Sequence, residues 1–588
     1  MQYGPSTHSE ANRRKRLLTR NAEVARVLKE IGLLLEFEGK EPFKVKAYQR
    51  AVRSIAALGE DVAVLAERRE LTSIAGIGKG LAEVITSYLE TGHVAVLDEL
   101  RTRVPIRIME LDAIPGVGIK TIKLVYERLG VTNLDSLEKA ANENKLSQLP
   151  GLGAKTQEQI IEGIQVARGG LSRTLLADAL SIASDVEKQL RRLPVVRQFV
   201  IAGSMRRRKE TIGDIDILVE ATDSKLVMDT FVTLKEVSSI SAHGETKSSV
   251  RLSGGIQVDL RVLPADSFGA GLQYFTGSID HNVKLRAIAQ KKGHRLNEYG
   301  LFRGEEKIAG KDESGIYRSL GMDTIPPELR EDWGEIEAAQ NGTLPTLIEL
   351  KDIRGDLHSH TDQSDGKNTI DEMLDAAQAK RYEYYCVSDH TQSLTIANGM
   401  DEDRLLRRID EIDELNASGR WKMKILKGAE VDILSDGSLD IKDEVLSQLD
   451  IVTASIHSRM KDDRKTMTER VCRALESKYV HILGHPTGRM LLKRTEFEID
   501  LEAVFESAKK NNIVMELNAH PERLDLNASN LRAATKVGLR IAVNTDAHWT
   551  TELDHMQFGV YQARRGWLSR DDVINTYPLK KMMSTIRK

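Results

Sequence analysis

The 588-residue chain has only two cysteines, Cys386 and Cys472. That excludes a disulfide framework and suits a reducing compartment, so a cytoplasmic location is expected. No apolar run approaches 18 residues, so no membrane-spanning helix is expected. The N-terminus has no apolar signal core to direct secretion. A strong charge of one sign is lacking too, the formal net value being −3. Basic residues are concentrated locally instead, in Arg13-Arg14-Lys15-Arg16 and Arg206-Arg207-Arg208-Lys209. Such runs either meet a polyanion at one place or lie on solvated helix ends. Hydrophobic residues at 40% and charged residues at 29% are ordinary for a globular protein. The length calls for several domains rather than one core.

What is present is unevenly spread. Nine of the 14 histidines follow residue 350, a clustering that points to metal. Residues from about 17 to 170 read as short helices, with apolar spacing of three and four over 21–36. One pattern recurs three times there: Ile74-Ala75-Gly76-Ile77-Gly78-Lys79, Ile114-Pro115-Gly116-Val117-Gly118-Ile119-Lys120 and Leu149-Pro150-Gly151-Leu152-Gly153-Ala154-Lys155. Glycine permits the positive φ of a tight turn. The N–H groups opening the next helix can then hold an anion. Gly76, Gly78, Lys79, Gly116, Gly118, Lys120, Gly151, Gly153 and Lys155 are therefore candidates for gripping a DNA backbone without reading base edges. One such turn is plain helix punctuation; three in the same register argue for non-specific DNA binding. The pattern resembles the helix-hairpin-helix repeats of DNA repair enzymes.

From about 173 the composition turns α+β, with strands expected over 195–202, 215–219 and 256–263. Asp214 and Asp216 lie two apart on one strand, so both side chains face the same way. Asp259 lies on another strand in Val258-Asp259-Leu260-Arg261. Three gathered carboxylates repel one another unless cations sit between them. Two Mg²⁺ ions about 3.5–4 Å apart resolve that repulsion. One would activate an attacking 3′-hydroxyl and the other would hold a triphosphate and its leaving pyrophosphate. Gly203-Ser204 ends a strand and opens a helix, where N–H groups can hold phosphate oxygens. Arg207 offers those oxygens a planar, bidentate partner. Asp-x-Asp alone is common at strand edges; with Gly-Ser ten residues upstream and Asp259 on its own strand it is a nucleotidyl-transfer signature.

Residues 17–335 resemble the family X DNA polymerases, the group that includes DNA polymerase β. The resemblance is carried by Gly203-Ser204-Met205-Arg206-Arg207, Gly213-Asp214-Ile215-Asp216, Val258-Asp259-Leu260-Arg261 and Tyr274-Phe275-Thr276-Gly277-Ser278, then by Asn282, Arg286 and Asn297-Glu298-Tyr299. It implies that Asp214, Asp216 and Asp259 form the catalytic metal triad. Ser204, Arg207 and Gly213, with Gly203 beside them, would contact the triphosphate. Tyr274, Phe275 and Gly277 would line the sugar pocket, and Asn282 and Arg286 would face the nascent base pair and template. Gapped or primer-template DNA and dNTPs are the implied partners. One departure stands out. The lysine that forms a Schiff base with an abasic sugar in polymerase β falls here on Val84, which cannot form an imine. Lyase activity by that route is therefore expected to be absent or weak. Lys79 and Lys46 are candidates to replace it but suit phosphate contact better. Arg208 and Lys209 replace small residues of polymerase β.

After residue 350, apolar runs end at Asp356-Leu357, Cys386-Val387, Leu426-Lys427, Val452-Thr453, Ile482-Leu483, Met515-Glu516 and Val543-Asn544, mostly separated by helix-like segments. Seven such units suggest a parallel barrel. Ligand-type residues stand near most of these ends: His358, His360, Asp365, His390, Glu430, His457, His485, Asp546 and His548. In parallel barrels the strand C-termini share one face, where these nine could converge. Nine are too many for one ion and fit two or three; imidazole with carboxylate suits Zn²⁺, Mn²⁺ or Fe²⁺. Such a cluster activates water and clamps a phosphate ester. His481, His520 and His555 lack that placement. His358-Ser359-His360-Thr361, Ser364-Asp365-Gly366, Ser388-Asp389-His390, Gly484-His485-Pro486 and Asp546-Ala547-His548 resemble the PHP (polymerase and histidinol phosphatase) domain, with all nine metal positions intact. The resemblance implies a distorted seven-stranded barrel holding Mn²⁺ or Zn²⁺ and a 3′→5′ exonuclease activity, with 3′-phosphate removal or abasic-site incision as extensions.

The expected organisation is thus multidomain: a helical DNA-binding domain over 1–95, a fingers-like helical domain over 96–172, an α+β nucleotidyltransferase palm over 173–265, a thumb over 266–335, a linker over 336–350 and an α/β barrel over 351–588. The expected function is gap filling in DNA repair by a monomer. Two alternatives remain open: a small-molecule phosphatase on a degenerate polymerase scaffold, and a non-catalytic DNA-end tether.

Overall fold

Apolar residues three and four apart give each N-terminal helix one buried stripe. In helix Asn21–Glu38 that stripe includes Val24, Leu28, Ile31, Leu34 and Leu35, and the helix packs on its neighbour Pro42–Ala56. The computed structural model describes residues 21–39, 41–56, 62–114 and 117–586. Gly116 and the Arg13-Arg14-Lys15-Arg16 run lie outside the described residues. Helices as far as Ala154–Ser172 share one apolar core from Val24 to Ala167.

In the palm, alternation takes over. Ile215, Ile217 and Val219 on strand Asp214–Ala221 and Val258, Leu260 and Val262 on strand Gln257–Val262 are buried. This is the period-two pattern that turns every second side chain to one face. The five-stranded sheet runs, edge to edge, Val196–Ile201, Asp214–Ala221, Gln257–Val262, Lys247–Leu252 and Val237–His243. The two acid-bearing strands are its one parallel pair. Strand Val237–His243 is almost entirely exposed, so it carried little apolar signal. A three-stranded antiparallel sheet, His294–Asn297, Gly300–Arg303 and Glu306–Ala309, follows in the thumb.

The C-terminal region forms the seven-stranded parallel sheet the apolar runs suggested. Its strands follow chain order: Gly355–Asp356, Tyr384–Val387, Lys424–Asp432, Ile451–Ser455, Ile482–Leu483, Val514–Asn518 and Ile541–Asn544. The first and last approach beyond their ends through a Ser359–Ala547 bridge, with the His360 N–H donating to the Ala547 carbonyl (2.8 Å) and the Asp546 N–H to that of His358 (3.0 Å). The barrel is therefore nearly closed.

The chain falls into two compact units, Met1–Leu171 and Ser172–Lys588 apart from Leu492–Arg494. Palm, thumb and barrel thus belong to one unit, and the stretch 336–350 expected as a linker is packed, as are the polar residues just before it. Helix Glu335–Gln340 buries Ile336 and Ala339, and Leu347 and Ile348 are buried too. The polarity that suggested a linker is spent on internal pairs. Arg330 is fully buried against Glu313 (2.7 Å), Glu335 against His281 (2.7 Å), and Glu328 takes Arg564 (2.8 Å). Buried charges with partners are stable in a way that unpaired ones are not.

Candidate nucleotide site and metal centres

Around the three glycine turns of the N-terminal unit, the described residues share two features. In each, the N–H after the first glycine position closes on the residue three before it: Ile77 to Ile74 (3.0 Å), Val117 to Ile114 (3.0 Å) and Leu152 to Leu149 (3.1 Å). Gly78, Gly118 and Gly153 directly precede helices Lys79–Thr91, Ile119–Leu129 and Ala154–Ser172. Gly76 and Gly151 adopt φ near +84° and +83°, where a side chain would be strained. A Cβ at Gly78, Gly118, Gly151 or Gly153 would meet nothing within 4 Å. Lys79, Lys120 and Lys155 are exposed in the first helical turns. The arrangement presents three open helix N-termini with a cation beside each. Val84 is partly buried against the N-terminal core.

In the palm, Asp216 stands opposite Asp259 in the parallel register, and Asp214 opposite Gln257. Burial, then the charges of Asp214 and Asp259, push the Asp216 carboxyl up to about 7. Among the described residues, the palm acids do not yet form a tight ligand group; those that do all lie in the barrel. The Gly203-Ser204 turn is tied directly to this site. The Ala202 N–H donates to the Asp216 carbonyl (2.8 Å), and Gly203 has φ +59°. A Cβ on Gly203 would lie 2.1 Å from Asp216 Oδ2, so only glycine fits there. Arg207 donates from Nε to Glu331 (3.2 Å) and from Nη1 to the Thr276 carbonyl. A Cβ on Gly277 would sit 3.0 Å from Arg207 Nη1, which places the Gly277 turn against Arg207. Ser204 is half-buried in the turn, where its carbonyl accepts from the Lys209 N–H (3.0 Å). Gly213 directly precedes the Asp214 strand. Tyr274 and Phe275 meet edge to face at 5.1 Å, with the Arg261 guanidinium 4.4 Å over the Phe275 ring. Asn282 is already committed, accepting from Gln273 (2.7 Å) and donating to the Tyr274 carbonyl (2.7 Å). Arg286 is exposed on helix Ile279–Lys291.

The raised Asp216 carboxyl makes stability depend on pH in a definite direction. Its acidity falls from an ordinary 3.8 to about 7 on folding. Ionising it therefore costs the fold stability, and that loss grows as pH rises from about 4 and is complete above about 7. A divalent cation removes the cost. Mg²⁺ should raise the unfolding temperature more at pH 8 than at pH 5.5, and Asp216→Asn should erase the difference. Calorimetry of both proteins with and without Mg²⁺ checks this; equal shifts at the two pH values would contradict it.

At the barrel mouth the strand ends bring the expected ligands together. His360, Asp365, His390 and His548 form one group; His358, His360, Glu430 and Asp546 a second; His390, Glu430 and His457 a third. In each, the ligand atoms lie within 4.8 Å of one another. His485 stands just outside these groups, with Nε2 2.9 Å from Glu430 Oε1. Glu430 is the hub. Its Oε1 faces His485 and His457 (3.4 Å), and its Oε2 faces His390 (2.8 Å), His358 (3.4 Å) and His360 (3.6 Å).

The donor set fits metal. His358 Nδ1 is 2.7 Å from Glu516 and His457 Nδ1 is 2.9 Å from Asp432, while His548 Nδ1 is 2.8 Å from the Asp546 carbonyl. Those contacts hold a proton on Nδ1 and aim Nε2 inward, where a cation would displace its proton and take the lone pair, the arrangement that orients metal-bound imidazoles. His360 Nδ1 and His485 Nδ1 are buried without hydrogen-bond partners. Burial opposes ionisation of Glu430, but His390, His457 and His358 hold it well below the carboxylate range. His457 is pushed up to about 10 by Glu430 and Asp432 against its burial. Burial, with His548 and His390 beside it, drives His360 down to about 4. Protons here do the charge balancing that cations could do better.

Glu516 and Asp432 were not anticipated as part of this site. Their signal was faint: Asp432 lies two residues past Glu430, and Glu516 sits in the middle of strand Val514–Asn518 with no histidine next to it. His520 and His555, set aside from sequence, do gather with Glu552. There, however, His520 Nδ1 accepts from the Glu522 N–H (3.2 Å), so Nε2 carries the proton toward Glu552 at 3.9 Å. That pair is an imidazole facing a carboxylate, not a ligand with its lone pair free.

Acids in register beside a phosphate turn, joined in one chain to a histidine-ringed barrel mouth, define a metal-dependent nucleotidyltransferase coupled to a metal-dependent phosphoesterase. The DNA polymerase beta palm matches residues 177–253 and the DNA polymerase beta thumb residues 271–331. A helix-hairpin-helix domain matches 19–94, a SAM-like helix-hairpin-helix tandem 108–165, and a PHP domain 356–520. Asp546 and His548 lie beyond the last of these matches. The DNA polymerase/3′-5′ exonuclease PolX of Bacillus subtilis (strain 168) is 39% identical over 570 residues, covering 96% of this chain and 99% of that protein. DNA polymerase lambda of Rattus norvegicus is 27% identical over 324 residues, 50% of this chain and 53% of the rat protein. A probable phosphatase of Thermoanaerobacter sp. (strain X514) is 28% identical over 232 residues, 38% of this chain and 89% of that protein. The chain belongs to the family X DNA polymerases that carry a PHP domain.

Proposed function

We infer that the protein is a template-directed DNA polymerase that fills short gaps during repair, and that its barrel is a metal-dependent 3′→5′ exonuclease. The observation that carries the polymerase half is the in-register pairing of Asp216 with Asp259 beneath the Gly203 turn. Asp214, Asp216 and Asp259 would hold two Mg²⁺ ions, which when bound lower the proton affinity of a primer 3′-hydroxyl and neutralise the leaving pyrophosphate. The turn at Gly203 and Ser204 receives the triphosphate, with Gly213 beside it and Arg207 supplying a fixed guanidinium. Tyr274, Phe275 and Gly277 form the wall against the sugar. The three N-terminal turns hold the DNA backbone, so affinity should fall steeply with salt and depend little on sequence.

The nine barrel residues would hold two or three Mn²⁺ or Zn²⁺ ions, whose contribution when bound is to supply a nucleophile from water and to polarise the phosphate ester. Glu516 and Asp432 fix the imidazoles of His358 and His457, and Glu430 bridges the groups. The reading is of a monomer acting on DNA in the cytoplasm.

On a gapped duplex with Mg²⁺, the protein should add the templated nucleotide and stop being productive when the gap is full. Hydrolysis of histidinol phosphate much faster than of DNA would favour the small-molecule phosphatase instead. Sodium borohydride trapping on an incised abasic site should yield little covalent adduct, because the side chain at position 84 is an apolar isopropyl group packed against the core. An adduct as strong as that of a lysine-bearing family member would contradict this.

A further inference from the structure

The phosphate turn of the palm is completed by side chains from the barrel region. Glu331, at the end of the thumb, takes Arg207 Nε on Oε1 (3.2 Å) and Lys209 Nζ on Oε2 (3.3 Å). Arg565, the last residue of helix Met556–Arg565, donates from one nitrogen to Glu331 Oε1 (3.1 Å) and to the Arg207 carbonyl (2.8 Å). Its side chain is 5% exposed, that of Glu331 9% and that of Arg207 12%. One turn earlier on the same helix, the Tyr561 ring carries the Arg208 guanidinium at 4.2 Å, and Gln562 donates to Glu210. Glu210 also takes both terminal nitrogens of Arg489 (3.2 and 2.6 Å), four residues after His485. Four consecutive residues of the turn, 207 to 210, are thus each held by a charged or aromatic side chain from outside the palm.

We propose that Arg565 is a positioning residue for polymerisation: a side chain of the nuclease region fixes the backbone at Arg207 and thereby sets the affinity for the incoming dNTP. Arg565 touches no residue of either metal site. It acts through Arg207, by anchoring that residue's carbonyl and by sharing the one buried carboxylate that aims its guanidinium. One nitrogen with two N–H bonds, held in a rigid planar guanidinium, suits this double duty. Removing it leaves the Arg207 carbonyl without that anchor and the Glu331 carboxylate shared by two cations instead of three. The side chain of Arg207 should then settle in a different place from the one that meets a triphosphate. The inference rests on the reading that Arg207 contacts the triphosphate.

The test is steady-state single-nucleotide gap filling by the full chain, with dNTP varied, for wild type, Arg207→Ala, Arg565→Ala and Arg565→Lys, with 3′-end hydrolysis measured in parallel. Arg565→Ala should raise the KM for dNTP about tenfold, leaving kcat within about twofold and hydrolysis at the wild-type rate. Arg565→Lys keeps the charge without the rigid planar guanidinium, and its KM should fall between the two. An unchanged KM in Arg565→Ala, with a raised one in Arg207→Ala, would overturn the proposal. So would a proportional fall of kcat and of hydrolysis in both Arg565 variants, which is what simple interdomain glue gives. An unchanged KM in Arg207→Ala would instead remove the reading of the phosphate site.

Discussion

Asp216→Asn should lower templated primer extension by at least about 10³-fold, or about 4 kcal/mol of barrier at 1.36 kcal/mol per decade, with 3′→5′ hydrolysis left at its wild-type rate. Asn keeps the volume of Asp and removes the charge. Asp216 is paired in register with Asp259 and roofed by Gly203 so closely that no side chain fits between. A neutral amide there can neither share a cation with Asp259 nor repel it. The same change relieves the repulsion among Asp214, Asp216 and Asp259, so the metal-free variant should be more stable than wild type above pH 7. Loss of activity with gain of stability separates a functional acid from a structural one. The measurement is single-turnover extension on a gapped duplex beside a thermal unfolding scan. A variant that loses both activity and stability would point to a role in the fold.

Glu430→Gln should abolish hydrolysis, by about 10³-fold or more, and reduce the metal bound per chain, while gap filling survives. Each oxygen of Glu430 faces different histidines, and the residue belongs to two of the three ligand groups. An amide offers one oxygen where two are needed. Glu516→Gln should be milder, about 10–100-fold, because it only orients His358 Nδ1 and outer partners have effects of that size. Metal analysis by mass spectrometry together with hydrolysis rates checks both. Equal losses in the two variants would mean that Glu430 is not the bridging ligand.

Much of both sites was legible in the sequence because their chemistry sits at ends of strands. Alternation places Asp214 and Asp216 on one face, and the barrel ligands follow apolar runs at sites where parallel strands converge. The three glycine turns were legible through repetition. Four things were not. The Val237–His243 strand is exposed on both faces, so it lacks the apolar period that reveals strands. The stretch 328–350 is polar because its charges pair internally, as Arg330 does with Glu313, and composition alone cannot tell paired charge from solvated charge. The helix Met556–Arg565 reaches residues more than two hundred positions away, Glu328 and Glu331 from Arg564 and Arg565, and no local pattern encodes that contact. Glu516 and Asp432 escaped for a related reason: carboxylates that orient a ligand need no fixed spacing from it.

Two independent metal sites in one polypeptide are best tested on a gapped, 5′-phosphorylated duplex supplied with dNTPs and Mg²⁺ or Mn²⁺. Wild type, Asp214→Ala with Asp216→Ala, and His358→Ala with His360→Ala should be assayed together for nucleotide addition and for 3′-end removal. The first double variant should remove nucleotides without adding any, and the second should add them without removing any. If either double variant loses both reactions, the two sites are not separate.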